Sequence, residues 1–245
     1  MSERLRAASS PAPQVLPTRP RGTATLGPPR MSSKTKPLRA PVLPVHLDPR
    51  AFTTIADGDS IEQCRVDGCA LAQVAAAQVR FDTVRLVGGT LGASELRHLR
   101  WLDVACERCD LSMIVWPGAK LTRVEVRGSR MTGAKLEEGE LESVRFVDCH
   151  LDYASFAETR FRQVTFESCR LEEADFRGAD LTGTSFVSCE LRGADLGRAK
   201  LQGADVSSSR CPDLRVSAGD VRGLVVNREQ AAALATLFGL VVRDG

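Results

Sequence analysis

From Ile61 to Val226 every fifth residue is apolar, thirty-four positions without an exception. At the chain's 43% apolar content, chance would produce such a run with a frequency on the order of 10⁻¹², so the period is a property of the fold. A period of five fits neither the 3.6 of a helix nor the 2.0 of a flat strand. It fits a chain that repeatedly makes a short extended piece and then turns a corner. Two residues before each of these positions lies a second set, mostly small or β-branched, including Val84, Val104, Val124, Val144, Val164, Ala174, Ala194 and Ala204. In extended chain, residues two apart face the same way, so both sets point inward. The positions between them, rich in Arg, Glu, Asp, Ser and Gly, point outward.

A second period counts the corners. Cys69, Cys109, Cys149, Cys169 and Cys189 are separated by multiples of twenty, and Gly89, Ser129 and Ser209 occupy the remaining slots of that series. Phe146, Phe166 and Phe186 recur at twenty, as do Phe156 and Phe176. Twenty residues per coil means four pentapeptides and a square cross-section. Successive coils joined by β-type hydrogen bonds rise about 4.8 Å each, so about 8.5 coils would make a rod roughly 40 Å long.

The segments Ala174-Asp-Phe176-Arg-Gly, Ala179-Asp-Leu181-Thr-Gly, Ala194-Asp-Leu196 and Ala204-Asp-Val206 resemble the A(D/N)LXX signature of pentapeptide-repeat proteins. The resemblance covers about 165 residues and is closest between roughly 170 and 206. Earlier coils keep the phase with Val or Cys two residues before the apolar position. The resemblance implies an all-β solenoid, a right-handed quadrilateral β-helix in a bacterial, cytoplasmic protein. It also implies two kinds of partner. Some members of the family mimic duplex DNA and bind type II topoisomerases such as gyrase, in connection with quinolone protection, and members often form homodimers through a C-terminal module.

A solenoid exposes its core at each end unless something covers it. Asn227 and Gln230 have the spacing of a capping box, predicting a helix to about Leu237. Ala231, Leu234, Ala235 and Phe238 would share one face, Gly239 suits the residue just past the end, and Leu240-Val-Val242 reads as a short strand. The expected organisation is a Pro/Arg-rich basic tail over residues 1–44, disordered and solvated, and an N-terminal cap over 45–60. The β-helix then runs over 61–226, with a helix-and-strand cap over 227–245.

Charge is unevenly placed. Residues 1–50 carry nine Lys/Arg against Glu3 and Asp48, a net of +7 within an overall +2, which leaves residues 51–245 at −5. The tail could touch nucleic acid, although direct binding is the weaker expectation, and Met31 could itself begin the protein. No run of about 18 apolar residues exists to span a membrane. A cytoplasmic location is the default.

The chemistry-bearing residues do not assemble into a motif. Of the eight cysteines, Cys64, Cys69, Cys109, Cys149, Cys169 and Cys189 take the second inward set, while Cys106 and Cys211 take the first. All eight are expected in the core, as small apolar fillers. Cys106-Glu-Arg-Cys109 has a CxxC spacing but no second pair for zinc. His46, His98 and His150 fall in separate places, and no histidine pairs with a Ser or Cys nucleophile by spacing. The reading is a non-enzymatic protein without cofactor or metal, acting as a protein-interaction scaffold; a topoisomerase-binding DNA mimic is the alternative. Candidate interface residues are Leu234, Phe238 and Leu240 at the C-terminal module, and Glu137, Glu138, Glu140, Glu172, Glu173 and Asp180 as a local acidic stripe. A net of about −5 over such a rod falls far short of duplex DNA, with its charge per ~1.7 Å of axis.

Overall fold

The computed structural model describes residues 37–243, which form a parallel β-solenoid with one C-terminal helix. The strands are β1 (Asp48–Arg50), β2 (Ser60–Ala70), β3 (Ala75–Ala77), β4 (Arg80–Thr90), β5 (Glu95–Arg97), β6 (Arg100–Glu107), β7 (Lys120–Arg127), β8 (Glu140–Val147), β9 (Arg160–Glu167) and β10 (Ser185–Val187). β1, β2, β4, β6, β7, β8, β9 and β10 pair in that order in one sheet, and β3 pairs with β5 in another. From β2 to β9 the register advances by twenty residues per rung: Ile61 sits beside Phe81, then Trp101, Leu121, Leu141 and Phe161. Single parallel bridges continue the ladder to Asp205 and Val225. The twenty-residue coil is therefore a hydrogen-bonded fact of the fold.

The burial pattern matches the sequence phase. All thirty apolar positions from Ile61 to Val206 are buried, seven and a half coils, and they form one core with the second inward set. The last four, Cys211, Val216, Val221 and Val226, are only half-buried. The core ends before the sequence period does.

The corner chemistry explains the signature residue. An Asp just before the apolar position turns its carboxylate onto the backbone N–H two residues later. Arg177 N–H donates to Asp175 Oδ1, Gly197 N–H to Asp195 Oδ1, and Ser207 N–H to Asp205 Oδ1, each at 2.9 Å. These Asx turns replace a strand hydrogen bond with a local one, which bends the chain. As Asp becomes regular at this position, continuous strands shorten from eleven residues in β2 to three in β10. The residue two after the apolar position sits in the left-handed region. Gly128, Gly133, Gly178, Gly183, Gly193 and Gly203 do so, and so do twenty-one non-glycine residues, Gln63 to Asp213.

At the N-terminal end, β1 adds a parallel rung against Cys64–Val66. Of the tail expected over 1–44, residues 1–36, with Met31, lie outside the described residues. Residues 37–44 have no helix or strand and are mostly exposed, with one backbone amide bonded to the solenoid. Val42 N–H donates to Asp103 Oδ1 (2.8 Å), two coils beyond the rung that β1 joins. Asp103 is 7% exposed and is also gripped by Arg123 through Nε (2.7 Å) and Nη2 (2.5 Å). Burial alone would push the Asp103 carboxyl up, yet the Arg123 guanidinium and the Val42 amide outweigh it and hold its pKa below the ordinary carboxylate range. A depressed pKa stabilises the contact above the unfolded value of about 4, and that contribution is lost as pH falls through the lower folded value. The Val42 amide proton resonance is therefore expected to be constant from pH 7 to 5 and to titrate only below about pH 4. Asp103→Asn should abolish that titration.

Candidate interaction surfaces

The C-terminal end is where the repeat opens. Around residues 217–223 the ladder slips: Asp220 N–H turns back to Ser217 O (3.0 Å), and Asp220 Oδ2 takes the Arg198 amide (2.9 Å). Gly203 N–H reaches Gly223 O (2.8 Å), one residue further than the step Gly183 N–H makes to Gln202 O (3.0 Å). The last coil consequently closes poorly over the core.

The helix α1 (Arg228–Leu237) starts as the sequence predicts. Asn227 Oδ1 accepts from Gln230 N–H and Gln230 Oε1 accepts from Asn227 N–H, both at 2.9 Å. The same two side chains staple the helix to the solenoid. Gln230 Nε2 donates to Val206 O (2.9 Å) and Ser209 O (2.7 Å), and Asn227 Nδ2 donates to Ser207 O (2.8 Å). Gly239, at φ 82°, closes the far end with a Schellman arrangement, Gly239 N–H to Thr236 O and Leu240 N–H to Ala235 O.

The plug itself is incomplete. No residue of α1 is buried: Leu234, Ala235 and the following Phe238 are half-buried and Ala231 is exposed. The strand expected at Leu240–Val242 does not form, since those residues have no ladder partner among the described residues, and Leu240 is 63% exposed. Leu237, Val241 and Val242 are exposed beside it. Between helix and last coil lies a cleft of about 520 Å³, lined by Cys211, Leu214, Val226, Ala233, Leu234 and Leu237 among others. Hydrogen bonding holds the first turn down, and nothing apolar seals the rest.

The acidic candidates are placed differently from a stripe. Glu137, Glu138 and Glu140 share one corner. Glu140 lies in a column with Lys120, Arg160, Asp180 and Lys200, whose charges alternate rung by rung. Glu140 meets Lys120 (3.0 Å) and Arg160 (3.7 Å), and Asp180 meets Lys200 (3.3 Å). Lys120 holds the Glu140 carboxyl below its ordinary pKa. Glu172 and Glu173 sit on the preceding side of the square and are paired with Arg192 and Arg215. Of the six, only Glu137 and Glu138 have no ion pair among the described residues.

Seven cysteines are buried and free, while Cys211 is half-buried at the open end, a departure from an all-core set. Desolvation pushes the Cys69 thiol up to about 11. The column thiols donate to backbone carbonyls, Cys109 Sγ to Gly88 O (3.3 Å), Cys149 Sγ to Val147 O (3.3 Å) and Cys169 Sγ to Glu167 O (3.4 Å). Among the described residues no cluster of His, Cys, Asp and Glu could hold a metal, and no helix is long and apolar enough to cross a membrane. Sequence reasoning missed Asp103 and Arg123. Their only signal is an acid and a base twenty residues apart in one outward column.

Residues 119–196 match the family model described as a pentapeptide repeat region. No curated protein matches the sequence. Among solved structures the chain is similar to HetL, a pentapeptide repeat protein involved in heterocyst differentiation regulation from the cyanobacterium Nostoc sp. strain PCC 7120. The identity is 16% and the TM-score 0.41, over 72% of this chain and 89% of that one. It is also similar to QnrB1, a plasmid-mediated fluoroquinolone resistance protein, at 17% identity and TM-score 0.35, over 78% of this chain and all of that one.

Proposed function

We propose that this chain, a pentapeptide-repeat protein, is a non-enzymatic interaction scaffold whose docking surface is its open C-terminal end. The observation that carries the reading is the contrast between the two ends. At one, β1 completes a rung over the first coil. At the other, the apolar period continues through Val216, Val221 and Val226 only half-buried, next to exposed Leu237, Leu240 and Val241. Uncovered apolar surface rimmed by polar groups marks a site of association. The occupant is a protein, either a second copy of this chain or another partner, and the compartment expected for it is the cytoplasm.

The topoisomerase reading is less well supported. Mimicry of duplex DNA needs a sustained line of uncompensated negative charge. Here Glu140, Glu172, Glu173 and Asp180 each face a cation within 4.0 Å.

The test is light scattering on the full chain, wild type against Leu234→Glu and Leu240→Glu, run alongside a gyrase supercoiling assay. An interaction through this end predicts that wild type self-associates, or binds an identified partner, and that each variant weakens this at least about tenfold. A wild-type monomer whose partner binding is untouched by both substitutions would sink the reading. Gyrase inhibition at micromolar protein would transfer support to the DNA mimic.

A further inference from the structure

The column that alternates in charge from Lys120 onward does not alternate before it. Its earlier members are Arg80 and Arg100, so three cations occupy successive rungs, placed side by side by the registers of β4, β6 and β7. Rungs are spaced about 4.8 Å apart. Arg80 is turned to Asp82 and Lys120 to Glu140. Arg100 lies between them, and its guanidinium has no hydrogen-bond or ion-pair partner among the described residues. Beside this run is a groove of about 510 Å³, lined by Gln78, Arg80, His98, Arg100, Gly118 and Lys120. The His98 ring leans over Gly118, its Nδ1 only 2.8 Å from where a β-carbon would stand, so the absence of a side chain there keeps the groove open.

We propose that this groove is a binding site for a linear oligophosphate. Stacked cations without a carboxylate between them repel one another, and an anion placed across them removes that repulsion. A single phosphate reaches at most two neighbouring rungs, whereas a chain of phosphates carries charge on each unit and can meet all three cations. Gln78 and His98 offer further polar contacts at the wall. Three cations line the groove against one imidazole and no Phe, Tyr or Trp among the described residues, so recognition falls mainly on the phosphate chain. The same chain is present in free polyphosphate and in a nucleoside triphosphate.

The experiment is calorimetry on the full protein with tripolyphosphate and, separately, with ATP, at low and at moderate salt. Saturable, salt-sensitive binding of both, within about threefold of each other, is expected, weakening at least about tenfold in Arg100→Glu and less in Lys120→Gln. Arg162→Glu, an exposed arginine elsewhere on the solenoid, should leave it unchanged, and circular dichroism on each variant checks the fold. Three results would overturn the assignment. They are no saturable binding, binding insensitive to Arg100→Glu (which would locate it in the basic residues before position 50), and a tenfold preference for ATP, which would place recognition on the nucleoside and not on the phosphate chain.

Discussion

Truncation of Phe166 to alanine is expected to cost about 4 kcal/mol, a full-sized loss for a buried aromatic. The ring is wholly buried and lies in the middle of a stack, 4.9 Å from Phe146 at 7° and 5.0 Å from Phe186 at 3°. A second stack, Phe156 on Phe176 at 5.3 Å, meets it edge-on, with Phe166 at 5.9 Å and 6.2 Å from the two rings. In a globular core, neighbours move some way into such a hole. Here the rungs above and below are fixed at their spacing by the backbone ladder, so the space stays empty and the contacts are lost outright. Denaturant titration of Phe166→Ala and Phe166→Leu measures this. A loss below about 1.5 kcal/mol for the alanine variant would mean that the coils do close up, contrary to a rigid ladder.

Gly89→Ala is the second large effect, and it arises from the wall rather than the core. Residue 89 pairs with Cys69 across β2 and β4, and an added β-carbon would lie 2.3 Å from both the N and the O of Cys69. Backbone cannot swing away as a side chain can, and φ is already +85°. The substitution must push these adjacent rungs apart, with an expected cost above about 3 kcal/mol and a melting transition several degrees lower. Gly128→Ala is the matched control. Its φ is +56°, but the nearest atom to a β-carbon is Arg108 Cγ at 3.8 Å, so only the left-handed conformation is penalised, by about 1 kcal/mol. Equal losses in the two variants would show that conformation, not contact between rungs, governs both sites.

These two sites mark what the sequence can and cannot disclose. Phe166 is legible because inward apolar side chains at a fixed period leave their phase in the chain, and thirty such positions from Ile61 to Val206 are buried. Gly89 reads only as one more filler of a cysteine slot, since the closeness of two backbones has no spelling of its own. The open end is hidden for a related reason. The apolar phase runs unbroken from Val216 to Val226 across a slip of the hydrogen bonds near residues 217–223, so composition continues where geometry is interrupted. The left-handed corners are half visible, in the glycines alone, because Gln, Glu, Ser and Asp adopt the same backbone at other coils. At the C-terminal module the capping box is explicit in Asn227 and Gln230. Leu240–Val242 reads as a strand from its composition alone, and pairing depends on where the helix delivers it, which composition does not encode. The Asp103–Arg123 pair keeps the twenty-residue spacing, but its hold on Val42 joins residues 61 positions apart, and a backbone amide leaves no charge or pattern in the sequence to announce it.

The segment that runs from Val42 to β1 gives the solenoid a direction it would otherwise lack. A stack of like coils, each bonded only to its neighbours, can begin to come apart at either end. Near its start, however, the chain bridges the first three coils from outside, joined to the first by β1 and to the third at Asp103, so parting the first coil from the third also breaks the Val42–Asp103 bond. At the far end each coil is held by the one before it and by the few bonds of Asn227 and Gln230. Thermal or mechanical unravelling should therefore travel one way, as a front that starts near residue 217 and peels backward, and the strapped coils should be the last to go and the first platform on which the others rewind.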